Sequence, residues 1–369
     1  MNTAQDLYQE RLNRIKTAVA LGKPDRVPFM HSGTAFYGYL AGVKISEVCV
    51  NPLLAHQVML RGMLSFGDLD GTQRSTVFPL ALSMGQLCKV KLPGKDLPDN
   101  DVWQVHEQEL MLKADYDDII KRGFTPWHQD YCRDRLDNVI DKMKPFFDVL
   151  PLADKNMLEA GLPVLAARTV TTPYEIFSSA RSMTPFVTDL YKIPDKVHAA
   201  AEVVMEEMLE ELRTFMRRTK PIGILIGLGR SSRTFVSQKM QERFVYPYIM
   251  KFVDTILEEG AIPFLHCDGN WNKDFDFVRQ LPKGKCVFQL DGATDIFKAK
   301  AVVGDRVCIY GDVPPGMLTV GTADDVYHYC QKLIGEIGPA GFILGQGCDT
   351  PANAKPENVK AMFSAIADQ

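Results

Sequence analysis

The segment AIPFLHCDGN at residues 261–270 is the most informative stretch for the fold. Its first half is apolar, as expected of a strand buried inside a parallel sheet, and its second half ends in side chains that can bind metal. Because side chains alternate between the two faces of a strand, His266 and Asp268 should point to one side and Cys267 to the other. The segment therefore predicts a buried strand with a polar cluster at its carboxyl end.

A second apolar segment, GFILG at residues 341–345, is followed closely by Cys348. Taken alone, a histidine at a strand end usually makes an ordinary hydrogen bond, and a cysteine on an apolar strand usually packs as a small hydrophobic residue. An imidazole, a carboxylate and a thiolate are nevertheless common zinc ligands, and a catalytic zinc keeps three protein ligands and one open position. We predict a zinc site formed by His266, Asp268 and Cys348, which would also be the catalytic residues.

The rest of the chain alternates short apolar strands with amphipathic helical segments. Eight such strand–helix units predict an α/β fold, a closed parallel (β/α)8 TIM barrel that spans residues 1–369 as a single domain. In a barrel of this kind the chemistry lies at the carboxyl ends of the strands, where all three predicted zinc ligands fall. The predicted strands end near His31, Asp68, Arg168, Ile226, Asp268, Leu290, Tyr310 and Leu344.

One stretch, residues 81–151, does not follow this alternation. We predict that it is an insertion or lid between the second and third strands, with a hairpin at residues 84–94 and a helix that begins at Asp115. An acidic first turn is typical of a helix N-terminus, as in the sequence DYDD that begins there. Outside this stretch, helices are predicted over residues 6–21, 54–64, 187–191, 195–217, 237–259 and 353–367.

The composition narrows the classes of function. The 369 residues carry a formal net charge of −4, and no basic tract is present, which argues against a nucleic-acid partner. Eight cysteines are scattered without paired spacing, as in a reduced intracellular protein, and no apolar run reaches the roughly 18 residues of a membrane span. We expect a cytoplasmic protein that does not associate with membranes.

Five segments of the chain form a recognisable set: GKPDRVP at residues 22–28, DLYKIP at 189–194, GAIPFLHCDG at 260–269, GDVP at 311–314 and GFILGQGC at 341–348. In these segments the chain resembles the uroporphyrinogen decarboxylase superfamily. It resembles most closely the branch of zinc methyltransferases that move methyl groups to or from a corrinoid (cobalamin) protein. The resemblance covers nearly the whole chain.

The branch members that methylate a thiol hold zinc with a His-x-Cys pair and a later cysteine. His266 matches that histidine and Cys348 matches the later cysteine, whereas Asp268 stands where the first cysteine would be. A carboxylate makes the ligand set harder, so it suits an oxygen ligand and a Lewis-acid role for the metal. The decarboxylases themselves resemble the chain less, because their arginine-rich loop is replaced here by the sequence MHSGT at residues 30–34.

The resemblance therefore implies an O-demethylase-type enzyme. It would move a methyl group from a small methylated donor, with an aryl methyl ether favoured, to the cobalt of a corrinoid carried by a partner protein, and Zn²⁺ would be the Lewis acid. Two alternatives remain open: a methylcobamide:thiol methyltransferase, and a uroporphyrinogen-decarboxylase-like enzyme that binds tetrapyrroles.

Further polar residues follow other predicted strands and are candidates for binding the substrate. Each of them could instead cap a helix or form an ion pair at the rim of the barrel. The candidates are His31, Tyr37, Arg230, Asp291 and Asp312.

Overall fold

The computed structural model describes residues 3–369, in which strands and helices alternate over most of the chain. The strands are β1 (Lys89–Lys91), β2 (Gln104–His106), β3 (Thr169–Thr171), β4 (Gly223–Leu228), β5 (Ile262–Cys267), β6 (Val287–Leu290), β7 (Cys308–Val313) and β8 (Phe342–Gln346). The first helices are α1 (Ala4–Val19), α2 (Thr34–Leu40), α3 (Ile45–Val50), α4 (Pro52–Phe66), α5 (Leu80–Gln86), α6 (Asp115–Arg122), α7 (Phe124–Asp134), α8 (Val139–Lys142) and α9 (Lys144–Glu159). The later helices are α10 (Pro173–Ala180), α11 (Met183–Lys192), α12 (Pro194–Thr219), α13 (Gln238–Phe244), α14 (Tyr246–Glu258), α15 (Phe275–Val278), α16 (Ile296–Val303), α17 (Pro315–Val320), α18 (Ala323–Glu336) and α19 (Pro356–Ala367).

Strands β3 to β8 form a parallel sheet in sequence order, and two short extended segments close it into a barrel. The first segment lies at residues 27–30 and the second at residues 70–72. The closing hydrogen bonds run from Met30 N to Leu344 O (3.0 Å), from Asp70 N to Phe29 O (2.7 Å) and from Thr72 N to Pro163 O (3.1 Å). The predicted α/β barrel of eight parallel strands is confirmed.

The second and third strands lie slightly later in the chain than predicted. The second is reduced to residues 70–72, and regular pairing in the third begins only at Thr169 rather than at residue 163. Residues 163–168 still belong to the barrel wall, because Leu165 N donates to Thr72 O at 2.9 Å. A proline at position 163 cannot donate to a ladder, so the donor contacts of this segment begin only at Leu165.

Most predicted helices are present, with shifted ends. The helix predicted over residues 237–259 is divided into α13 and α14 at Val245, since Pro247 lacks the N–H group that a continuous helix would need. The last helix begins at Pro356 rather than at residue 353, in keeping with the preference of proline for the first helical position.

Between the second and third strands the chain forms α5, β1, β2 and α6 to α9. Strand β1 pairs with β2 in antiparallel fashion, so the hairpin joins residues 89–91 to 104–106 and not the two halves of residues 84–94. The helix predicted at Asp115 begins at that residue. The predicted end of the insertion at residue 151 falls inside α9, which continues to Glu159.

The apolar core has two layers separated by the barrel wall. One cluster fills the barrel interior and includes Leu225, Phe264 and Ile343, whereas a larger cluster lies between the strands and the surrounding helices and includes Leu265. Strand alternation in β5 therefore fixes the opposite directions of His266 and Cys267. Within residues 3–369 no helix combines the length and apolar character that crossing a bilayer requires.

Candidate metal centre

The three predicted zinc ligands meet at the carboxyl end of the barrel. Within residues 3–369, His266, Asp268 and Cys348 form the one group of three metal-capable side chains whose ligand atoms all lie within 4.8 Å of one another. His266 Nε2 is 3.2 Å from Asp268 Oδ1. Because β6 and β7 separate β5 from β8, these side chains approach one another across the barrel mouth.

The orientation of His266 follows from its place in β5. It lies two residues after Phe264, which fills the barrel interior, so it faces the same way. Cys267 faces the opposite way and is fully buried in the outer core. All eight cysteines lie in residues 3–369, and Cys348 is the one that is not fully buried.

The charges of the three side chains suit a divalent cation. Burial, the largest influence on the pKa of His266, would lower it, but hydrogen bonds to Asp268 and Cys348 and their negative charge together raise it to about 10. The same surroundings that favour a positive charge on the imidazole would favour a bound cation. One nitrogen, one oxygen and one sulfur donor fit the ligand preferences of zinc.

The ring of His266 has one feature that is unusual for a metal ligand. Its Nδ1 atom is buried and has no hydrogen-bond partner among residues 3–369. Metal-binding histidines commonly donate from this second nitrogen to a carboxylate or a carbonyl group. The orientation of His266 therefore depends on strand packing and on the contacts of Nε2.

Asp291 supports the loop that carries Asp268. Its Oδ2 accepts a hydrogen bond from Gly269 N at 2.7 Å, and its Oδ1 accepts one from Ala293 N at 2.8 Å. Both carboxylate oxygens are thus engaged with backbone groups. This geometry favours a role in fixing the Asp268 loop over the direct substrate contact that we predicted.

His31 and Tyr37 are both buried, and their polar atoms are used within the protein. His31 Nδ1 lies 2.7 Å from the Tyr37 hydroxyl, and His31 Nε2 lies 3.1 Å from Thr350 Oγ1. Burial lowers the pKa of His31 to about 3, so the ring is neutral at physiological pH. Through Thr350, the pair holds the chain just after Cys348.

Arg230 and Asp312 also have partners within the protein. The Arg230 side chain donates to Ser178 O at 2.9 Å and to Glu107 Oε2 at 3.3 Å, so it connects the end of β4 to α10 and to the residue after β2. Asp312 accepts a hydrogen bond from the Tyr329 hydroxyl on α18 at 2.7 Å, and burial raises the pKa of Asp312 to about 7. These contacts favour supporting roles over the substrate contacts predicted from the sequence.

Glu175, which is not among the site residues predicted from the sequence, is buried in the first turn of α10. Its Oε1 accepts hydrogen bonds from Ser231 Oγ at 2.6 Å and from Arg230 N at 2.8 Å. Burial raises the pKa of Glu175 to about 7, although these two hydrogen bonds act in the opposite direction. The available signal was an acidic residue in the first turn of a helix that follows directly on a barrel strand.

The model of the uroporphyrinogen decarboxylase (URO-D) family matches residues 128–369, which include β3 to β8 and all three candidate ligands. The chain belongs to the uroporphyrinogen decarboxylase family. The resemblance found in the sequence is thereby confirmed for the family.

Two individual proteins show how far the similarity extends. A uroporphyrinogen decarboxylase of Cellvibrio japonicus is 24% identical over 194 residues, which are 48% of this chain. The chain spans about half of that relative's length, since the matched region covers 50% of the relative. A solved structure, a methyltransferase from Methanosarcina mazei, superposes with a TM-score of 0.72 at 17% identity, over 100% of this chain and 99% of that one. The structural match supports the barrel fold.

Proposed function

We propose that the protein is a zinc-dependent methyltransferase that moves a methyl group from a small methylated donor to the cobalt of a corrinoid. The donor we favour is an aryl methyl ether, and the corrinoid would be carried by a partner protein. The observation that carries the proposal is the meeting of His266, Asp268 and Cys348 at one point of the barrel mouth. We further propose that the protein acts in the cytoplasm.

The three side chains would hold the metal with different donor atoms: a nitrogen of His266, a carboxylate oxygen of Asp268 and the sulfur of Cys348. Bound zinc would supply Lewis-acid catalysis by polarising the donor oxygen from which the methyl group departs. Asp268 leaves more positive character on such a metal than a second thiolate would. Asp291 and the His31–Tyr37 pair hold the two ligand-bearing loops in position.

The exposure of the site is compatible with a cobalt acceptor on another protein. The side chain of Asp268 is 39% exposed and that of His266 is 17% exposed, although both lie at the end of a barrel strand. A reacting group held by a partner could therefore approach from solvent. We also propose that residues 81–151 act as a lid, since Glu107 contacts Arg230 beside this opening.

A second candidate is a decarboxylase that acts on tetrapyrroles, because the matched curated relative is named a uroporphyrinogen decarboxylase. That reading leaves the convergence of a histidine, an aspartate and a cysteine without a role. A thiol methyltransferase would use the metal centre, but the presence of Asp268 in place of a thiolate argues against thiol methylation. The donor-side reaction accounts for more of the observed geometry.

The test is metal analysis followed by a methyl-transfer assay. The purified protein should contain about one zinc per chain and should methylate a reduced corrinoid protein with at least one donor from a panel of methoxyarenes, methylamines and methyl thioethers. An oxygen donor should be used, and free thiols should not be methylated from methylcobalamin at a comparable rate. Efficient thiol methylation with no activity on any ether would contradict the proposal and would favour the thiol methyltransferase instead.

A further inference from the structure

We propose that a pocket within residues 81–151 binds a small anion of the diphosphate class and thereby holds this part of the chain against the barrel. The pocket lies between the β1–β2 hairpin and helices α5 and α8. The inference goes beyond the proposed function, since none of the metal-centre residues takes part in it. The lining residues that carry the argument, called the insertion pocket, are Ser83, Lys89, Lys91, Lys95, Leu136 and Lys142.

The insertion pocket carries an excess of positive charge. Its four lysine side chains form no ion pair and make no side-chain hydrogen bond within residues 3–369. Two aspartates line the same pocket: Asp96 accepts a hydrogen bond from Leu92 N at 3.0 Å, and Asp137 is exposed. Four lysines against two aspartates leave two positive charges unbalanced, which suits a ligand with several negative charges.

Strand β1 places two of these lysines side by side. Lys89 and Lys91 are two residues apart, so their side chains lie on the same face of the hairpin, and both are half-buried. His106 stands opposite Lys89 in the antiparallel register and lines the same pocket. Neighbouring ammonium groups repel each other, and an anion bound between them would offset that repulsion.

The pocket is a recess in the core and not a flat charged surface. Leu136 and Val139 line it and are only 5% and 1% exposed. Ser83 also lines it and is 4% exposed, and its hydroxyl group makes no hydrogen bond within the described part of the chain. A buried hydroxyl without a partner is costly unless a ligand or a water molecule satisfies it. Ser83 therefore offers a hydrogen-bond donor beside the lysines.

The size and the cations of the pocket select the ligand. Its volume of about 310 Å³ is at the lower end of the range for small-molecule sites, so the bound group must be compact. The cations are lysines, which bind phosphate as point charges, and no arginine lines the pocket to pair with a planar carboxylate. A diphosphate, either free or as part of a larger molecule, fits this description better than a polycarboxylate.

Glu107 connects the pocket to the barrel. It directly follows His106, which ends β2 and lines the pocket. Its Oε1 accepts hydrogen bonds from Ser182 Oγ at 2.9 Å and from Met183 N at 2.8 Å. Its Oε2 accepts one from Arg230, beyond the end of β4, at 3.3 Å. An anion that fixes the hairpin would therefore also fix Glu107 against the barrel.

Isothermal titration of the full chain tests the site with pyrophosphate, inorganic phosphate, citrate and ADP. Pyrophosphate should bind at least about tenfold more tightly than phosphate and citrate, because it engages more of the lysines at once. Equal binding of ADP would indicate a diphosphate within a larger molecule, and weaker binding would indicate the free anion. Equal affinity for pyrophosphate, phosphate and citrate, or no binding, would overturn the proposal.

A Cys348→Ala background separates this binding from chelation of metal by pyrophosphate. The substitution removes a candidate metal ligand but no residue of the insertion pocket. The affinity for pyrophosphate should therefore stay within about twofold of the wild-type value. Loss of the binding in this background would place the anion at the metal centre and refute the pocket.

The double substitution Lys89→Gln with Lys91→Gln is the decisive variant. Affinity for pyrophosphate should fall at least about tenfold, while Lys89→Arg with Lys91→Arg should retain binding because the charges remain. The matched control is Lys239→Gln with Lys360→Gln, which removes two positive charges from exposed positions on α13 and α19. Equal weakening in the two glutamine pairs would mean that only the overall charge of the protein attracts the anion.

Hydrogen exchange tests the link between the pocket and the barrel. With pyrophosphate bound, the backbone amides of residues 104–109 should exchange at least about threefold more slowly, and the double glutamine variant at residues 89 and 91 should show no such change. Slower exchange confined to residues 89–95 would support the anion site and refute its effect on Glu107. Because neither experiment measures methyl transfer, their failure would leave the proposed function intact.

Discussion

The Asp291 carboxylate lies 2.7 Å from the backbone nitrogen of Gly269, the residue that directly follows the candidate ligand Asp268. The Asp291 side chain, at the end of β6, thus fixes the backbone that follows the neighbouring strand β5. Groups that orient a metal ligand without touching the metal commonly influence affinity strongly.

Asp291→Ala should therefore weaken zinc binding by about 10- to 100-fold without removing any ligand. The measurement is competition for zinc with a chelator of known affinity. Asp324→Ala is a matched control, because Asp324 is exposed at the start of α18 and its side chain makes no hydrogen bond or ion pair within residues 3–369. Equal zinc affinity in the two variants would mean that the Gly269 contact does not support the centre.

The two cysteines nearest the site should differ sharply in their effect on metal content. Cys348→Ala should lose most of the zinc, whereas Cys267→Ser should keep it, because Cys267 is buried on the opposite face of β5. The serine variant should instead lose about 1–3 kcal/mol of unfolding free energy, since its hydroxyl is placed in an apolar core. Equal metal loss in both variants would contradict the assignment of Cys348, and not Cys267, as the ligand.

Asp268→Cys tests which half-reaction the metal serves. The variant should still bind zinc, because it restores the His-x-Cys pattern of the thiol-methylating branch. Its rate of methyl transfer from an ether should fall, because a second thiolate weakens the Lewis acid that stabilises charge on the departing oxygen. Zinc content and kcat/KM, measured on the same preparation, check this; an unchanged kcat/KM for ethers would contradict the role assigned to Asp268.

The stability of the protein should fall in mild acid because of His31. Burial lowers the pKa of His31 from 6.5 to about 3, so between these values the unfolded chain binds a proton that the folded chain does not. Neutral His31 therefore contributes stability above pH 6.5 that is lost as the pH falls toward 3, with an upper limit of about 5 kcal/mol. Denaturant unfolding from pH 7 to pH 4 checks the slope.

His31→Asn should flatten this pH dependence, because the amide does not titrate in that range. His328→Asn, at an exposed position of α18, serves as the comparison and should leave the slope as it is. A wild-type protein that loses no more stability in acid than the His31 variant would refute the explanation.

The sequence was sufficient for the barrel and for the three candidate ligands, since both depend on local patterns. Alternation in residues 262–267 separates His266 from Cys267, and the end of an apolar strand marks Cys348. The surroundings of these residues were not predictable in the same way. Glu175 is held by Arg230 and Ser231, 55 and 56 residues away, and His31 meets Thr350 at a separation of 319 residues.

Such contacts leave no periodic signal, because they depend on which loops the closed barrel brings together. The same reason explains why the hydrogen-bond partners of His31, Tyr37 and Asp312 were not predictable from the sequence. In addition, Tyr37 lies in α2, and Asp312 lies inside β7 rather than after it. The division of the helix at Val245 has a local cause instead, because Pro247 lacks the N–H group of a continuous helix, and this effect is predictable from the sequence.

Pairing between the first barrel segment, residues 27–30, and β8 delays closure of the barrel during protein synthesis. Met30 donates to Leu344 across a sequence separation of more than 300 residues, so the wall stays open until nearly all of the chain has left the ribosome. His266 and Asp268 are made well before Cys348, which comes from the last strand. A nascent chain therefore offers metal ions an incomplete set of donors, and tight capture of zinc would come only with completion of the barrel.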